Sequence, residues 1–179
     1  MKKNVSMKSA IAFGVSALLT FSPVHAQDDD AKYATDLLKV GTEAPDFRLH
    51  TPDGKTLSLS DYKGRYVVLD FWASWCPDCR KDAPNVVATY EKYKDKGIAF
   101  IGISFDTKKE HWINAIEQYR MQYPQVSELK KWHDTVISDL YRIKWIPALY
   151  LIDPEGKIVL GTVLSEKLNA KLAEVTEKE

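Results

Sequence analysis

From Tyr66 to Trp72 the chain reads Tyr-Val-Val-Leu-Asp-Phe-Trp, and from Ile98 to Phe105 it reads Ile-Ala-Phe-Ile-Gly-Ile-Ser-Phe. Both are unbroken apolar runs rich in β-branched and aromatic residues, and they predict strands buried on both faces. Ala148 to Asp153 predicts a third. A turn at Pro154-Glu155-Gly156-Lys157 joins it to a partner strand over Ile158–Val163. Between these runs the apolar spacing becomes helical. Ala83, Val86, Val87, Tyr90 and Tyr93 mark one face of a helix from Pro77 to about Lys96. Proline suits its first position, Pro84 should kink it, and Gly97 ends it. Trp112, Ile113, Ile116 and Tyr119 mark a helix over Lys108–Tyr123, stopped by Pro124. A short helix is expected over Thr135–Ile143. A closing helix follows from Ser165 to about Lys178, with Ser165 as N-cap and Leu168, Leu172 and Val175 facing inward. Upstream, Tyr33–Val40 reads as a short helix and Phe47–His50 as an edge strand. The latter pairs through Pro52-Asp53-Gly54 with Thr56–Leu59, and Ser60–Gly64 is a further turn. Val126–Lys131 fits neither period. This order predicts an α/β domain, a central mixed sheet covered by helices.

The first residues follow a different pattern. Lys2, Lys3 and Lys8 precede an apolar stretch from Ala10 to Phe21, then Pro23 and a Val24-His25-Ala26 cleavage pattern before Gln27. Residues 1–26 therefore read as a signal peptide, the stretch being short for a membrane span. The mature chain is expected to be exported, to the periplasm or the outer side of the cell envelope, with no membrane contact beyond the signal segment. Gln27-Asp-Asp-Asp-Ala-Lys32 reads as a solvated spacer, so residues 27–40 form a spacer with a short helix and 41–179 the domain. Composition adds two exclusions. With 45% hydrophobic residues the chain is no disordered tail. Beyond residue 26 there are 22 basic and 25 acidic residues and no basic stripe, so no nucleic-acid partner is expected.

The chain holds two cysteines, Cys76 and Cys79, in Cys-Pro-Asp-Cys at the start of a predicted helix. Residues three apart there sit close enough for a disulfide. Cys76 falls at the N-cap, where unpaired backbone N–H groups and the helix dipole favour a thiolate. A bridge this short constrains the unfolded chain little, which points to redox use over stapling. Such a thiolate would open a partner's disulfide, and Cys79 would resolve the mixed disulfide. The neighbouring charge of Asp78 works against the thiolate and against a strongly oxidising potential. The competing readings are a structural bridge and half of a zinc site. For zinc, His50, His111 and His133 lack paired ligand spacing.

More than the cysteine pair carries a resemblance. Asp70-Phe-Trp-Ala-Ser-Trp-Cys-Pro-Asp-Cys79 followed by Ala83-Pro84 resembles the active-site strand and helix of the thioredoxin family, with an acid six residues before the first cysteine and a proline eight after it. Trp145-Ile-Pro-Ala-Leu-Tyr-Leu-Ile-Asp153 is similar to that family's cis-proline segment. Gly41-Thr-Glu-Ala-Pro-Asp-Phe47 and the 71 residues from Cys76 to Pro147 resemble the exported TlpA/ResA-like branch, which is related to the AhpC/TSA proteins. The resemblance implies a thioredoxin fold with an N-terminal β-hairpin and a central helical insert over about 108–125. It also implies a thiol–disulfide oxidoreductase with no cofactor, acting more as a reductase. Its partners would be protein thiols and disulfides of the envelope and an upstream electron-donor protein. Cys76 would be the nucleophile and Cys79 the resolving thiol. Trp75, Pro77, Ile146 and cis-Pro147 would meet the partner, with Trp145 a further candidate. Asp70 is either a buried proton acceptor for the resolving thiol or a satisfied polar group at a strand end. The chain departs from the branch in its Pro77-Asp78 dipeptide and in Asp70, more typical of thioredoxin itself. Peroxidases sharing the Ala-Pro-Asp-Phe opening need a proline and a hydroxyl residue where this chain has Leu69 and Ala73, so peroxidase activity is not expected. The rival from another class is a non-catalytic thioredoxin-fold binding module with a structural disulfide.

Overall fold

The computed structural model describes residues 24–177. The positive n-region and apolar stretch assigned to a signal peptide lie outside the described residues. Among those described, no helix is long and apolar enough to cross a membrane.

Seven strands form one mixed sheet in the order β2-β1-β5-β4-β3-β6-β7. They are β1 (Arg48–His50), β2 (Thr56–Ser58), β3 (Val67–Trp72), β4 (Ala99–Ser104), β5 (Gln125–Ser127), β6 (Ala148–Ile152) and β7 (Ile158–Thr162). Strands β3, β4 and β5 run parallel, β6 is antiparallel to β3, and β7 is antiparallel to β6. Every residue of β3, β4 and β6 is buried, as continuous apolar runs require of central strands. Among the described residues five α-helices accompany the sheet: α1 (Val24–Tyr33), α2 (Pro77–Tyr93), α3 (Lys109–Tyr119), α4 (Val136–Leu140) and α5 (Ser165–Thr176). Leu168 and Leu172 of α5 are fully buried, and the Tyr93 hydroxyl of α2 donates to the Asn169 carbonyl at 3.3 Å, which ties the two helices together.

Several elements differ from the expectation, each for a local reason. Strand β1 is internal: it pairs with β2 along its length and with β5 at His50–Ser127, so β2 is the edge. The insert supplies a strand, β5, as well as helix α3. Helix α3 stops four residues early because Arg120 turns left-handed (φ 56°), which lets Met121 and Tyr123 drop into the core. Ser165 is the first helical residue, with Leu164 at the N-cap, because its hydroxyl donates to Asp82 at 2.6 Å. Helix α4 covers only the start of the expected segment, capped by the Thr135 hydroxyl, which accepts from the Ser138 N–H at 3.3 Å. The helix expected over Tyr33–Val40 is displaced: α1 ends at Tyr33, and the chain turns so that Leu37 is buried and the Leu38 N–H donates to the Tyr150 hydroxyl at 2.9 Å. That hydroxyl donates in turn to the Tyr141 carbonyl (2.7 Å), while Tyr141 donates to the Pro45 carbonyl (2.6 Å). Residues 37–45 are thereby fastened to the core through two buried phenols.

Candidate functional site

Strand β3 delivers the chain through Ala73, Ser74 and Trp75 to Cys76, the N-cap of α2, with Pro77 at the first helical position. The extended backbone of Cys76 (φ −80°, ψ 117°) aims its side chain at the helix start, and its sulfur accepts a hydrogen bond from the Cys79 N–H at 3.0 Å. Cys76 and Cys79 form a disulfide with their Cα atoms 5.3 Å apart. Both residues are buried, while Trp75, Pro77 and Asp78 beside them are exposed, Trp75 to 50%. The redox pair thus lies just under a surface of projecting side chains.

Across from the helix start, the Ile146–Pro147 peptide is cis, as the sequence led us to expect. The carbonyl oxygen of Ile146 lies 3.6 Å from the Cys76 sulfur. Cys76, Cys79, Ile146 and Pro147 therefore converge, with Trp75 and Pro77 at their rim. Trp145 is half-buried and stacked under Tyr33, its ring centroid 4.0 Å away, so only part of it is open to a partner.

Asp70 stands apart from this cluster. It is buried in β3, paired in register with Gly102 and Leu149, and makes no hydrogen bond to either cysteine. Its carboxylate accepts from the Tyr123 hydroxyl at 2.8 Å. Loss of water pushes Asp70 up from its ordinary value to about 7; the Tyr123 hydrogen bond pulls it down and the charge of Asp82 pushes it further up. Burial pushes the Tyr123 phenol well above its usual range, so it stays a proton donor in that bond.

Asp82, one turn past Cys79 on α2, escaped the sequence reading. One of its oxygens accepts from Ser165 Oγ (2.6 Å) and Asn85 Nδ2 (2.9 Å), while the other is buried without a partner. Its spacing of three from Cys79 was the available signal, since i and i+3 share a helix face. Asp106 also escaped. Fully buried after β4, it accepts from the Ser74 N–H (3.0 Å), Ser74 Oγ (2.5 Å) and Ser104 Oγ (2.8 Å), and so pins the loop that carries Trp75 and Cys76. Asp106→Ala is expected to orphan these donors and lower stability by about 3 kcal/mol, read from the urea midpoint, with Asp106→Asn recovering part of the loss. Among the described residues no three His, Cys, Asp or Glu side chains gather into a metal-binding group.

The arrangement is a cysteine pair fit for thiol–disulfide exchange: a sulfur at a helix N-terminus, a second bonded to it, and the Ile146 carbonyl beside them. Comparison with known proteins agrees. Residues 40–160 match the model of the AhpC/TSA family. The chain is 33% identical over 142 residues to the thiol-disulfide oxidoreductase ResA of Bacillus cereus, covering 78% of this chain and 80% of the relative. It is 30% identical over 179 residues to that of Oceanobacillus iheyensis, covering 96% of this chain and 89% of the relative. Among solved structures it is similar to the thioredoxin domain of a thiol-disulfide oxidoreductase from Bacteroides vulgatus, at 36% identity and TM-score 0.71 over 78% of this chain and 99% of that one.

Proposed function

Because the chain belongs to the AhpC/TSA family and is a thiol–disulfide oxidoreductase of the ResA kind, we propose that it reduces disulfides of exported proteins through Cys76 and Cys79. The observation that carries this reading is the placement of the Cys76 sulfur at the N-terminus of α2, held by the Cys79 N–H and facing the Ile146 carbonyl. In the reduced protein the Cys76 thiolate attacks one sulfur of a partner's disulfide. A mixed disulfide forms and one partner thiolate leaves. The Cys79 thiolate then attacks the Cys76 sulfur, the second partner thiolate leaves, and the Cys76–Cys79 disulfide remains. The partner gains two electrons, which the next upstream protein dithiol restores to this one.

Three features support the remaining assignments. The Ile146 backbone beside cis-Pro147 lies where an extended partner segment would run past Cys76, with exposed Trp75 and Pro77 as its other contacts. Asp70, whose pKa burial raises to about 7, can accept the proton of the resolving thiol at neutral pH. The reducing direction is favoured by Asp78, in the first turn of α2, whose charge opposes a strongly stabilised thiolate. Export rests on residues 1–26, and the cell envelope is where such partners form and keep disulfides.

Insulin reduction by dithiothreitol tests the reading. The protein is expected to accelerate precipitation of the insulin B chain severalfold, and Cys76→Ser is expected to remove the acceleration entirely. An inactive wild type with an intact fold would favour the binding-module reading.

A further inference from the structure

Helix α1 lies against the redox site, and nothing in the exchange chemistry uses it. The helix is hydrophilic, and in a chain cleaved before Gln27 only Gln27–Tyr33 of it would remain, too short and polar to hold its place unaided. Among its described side chains, Asp30 and Tyr33 anchor it. Asp30 Oδ1 accepts from Thr162 Oγ1 (2.8 Å) and the Val163 N–H (2.9 Å), while Oδ2 pairs with Lys167 Nζ at 2.6 Å. The Tyr33 ring stacks on Trp145 with centroids 4.0 Å apart and planes 18° off parallel. Thr162–Ser165 joins β7 to α5, and Trp145 lies two residues before cis-Pro147. Helix α1 therefore bridges the β7–α5 connection and the segment that leads into cis-Pro147.

Between α1 and the first turns of α2 lies a cleft of about 630 Å³. Asp29 and Tyr33 of α1, Asp78 and Asp82 of α2, and Trp145 and Pro147 are among its lining residues. A cavity of this size is ample for a short run of extended peptide.

We propose that α1 is the outer wall of the partner cleft and that Tyr33 and Asp30 are positioning residues for protein substrates. They hold the wall and the Trp145 face so that the extended segment carrying a partner's cysteine is received between α1 and α2. This rests on Cys76 being the attacking sulfur. Cys76 is not among the residues that line the cleft, so a small disulfide need not meet the wall, and the two ideas separate experimentally.

The test uses protein purified from cells that express the whole sequence. Steady-state rates are measured with dithiothreitol as reductant against two disulfides, a short peptide disulfide and hydroxyethyl disulfide. Tyr33→Ala and Asp30→Ala are each expected to raise KM for the peptide by about two- to tenfold, the size of one aromatic or charge-assisted contact, with kcat unchanged. Rates on hydroxyethyl disulfide should stay level, and Tyr33→Phe, which keeps the stack, should restore the peptide KM. Unchanged peptide KM in both alanine variants would overturn the proposal. So would an equal loss on both substrates, which would mean that α1 merely supports the fold. A Cys76→Ser protein still active on hydroxyethyl disulfide would instead remove the premise.

Discussion

Cys79→Ala is expected to turn the protein into a covalent trap for its partners. The substitution removes the resolving sulfur but keeps the backbone N–H that donates to Cys76 at 3.0 Å, so the N-cap interaction that holds the attacking sulfur survives. The first exchange then proceeds and the second has no nucleophile. Turnover should fall on the order of a hundredfold or more, as when one member of a concerted pair is removed. Disulfide-linked species should accumulate instead, seen on non-reducing gels and dissolved by dithiothreitol. Cys76→Ser should capture nothing, because Cys79 lies inside the first turn of α2 and not at its N-cap beside the Ile146 carbonyl. Mass spectrometry of the trapped proteins would identify the substrates, and capture of exported proteins would bear directly on the envelope assignment. Undiminished turnover by Cys79→Ala would mean that partner thiols resolve the intermediate, and the two-cysteine cycle would have to be abandoned.

The parts of this molecule that could be read from sequence are those whose signal is local. The runs in β3, β4 and β6 are apolar at almost every step, so their burial is written into the chain. Cys76, Pro77 and Cys79 carry their own geometry, since a helix N-terminus fixes where residues three apart must lie. What stayed hidden depends on partners far along the chain. Strand β5 begins and ends with the polar residues Gln125 and Ser127, yet both are buried. Gln125 accepts from Trp72 Nε1 at 3.0 Å, and Ser127 donates to the Ser104 carbonyl at 2.8 Å; no period-based reading sees such pairs. Helix α1 has no apolar stripe, and the Asp30 carboxylate and the Tyr33 ring dock it on partners more than 100 residues away. Tyr123 passed for the end of a helix, whereas its hydroxyl is the partner of Asp70. Asp82 and Asp106 resembled ordinary surface acids until the fold buried an oxygen of the first and all of the second.

Asp70→Asn is expected to stabilise the fold at alkaline pH while slowing the enzyme. The group sits at about 7 in the folded protein against an ordinary 3.8, chiefly because burial disfavours its charged form. The folded state therefore binds a proton that the unfolded state has released between these values. Stability owed to that proton is fully present below about pH 4 and is lost as pH rises through 7. A displacement of about three pK units corresponds to a cost of about 4 kcal/mol at pH 8, an upper bound that asparagine avoids while still accepting from the Tyr123 hydroxyl. Urea titrations should show the variant gaining most over wild type at pH 8 and little near pH 4. Activity separates the two roles left open for Asp70. As a proton acceptor for Cys79 it should impose an inflection near pH 7 on kcat, which the asparagine variant loses together with about ten- to a hundredfold in rate. As a merely satisfied polar group it would leave the pH profile of kcat unmoved while the stability gain remained. A variant less stable than wild type at pH 8 would show that the carboxylate is ionised and paired inside the fold, and the proton-acceptor role would lose its physical basis.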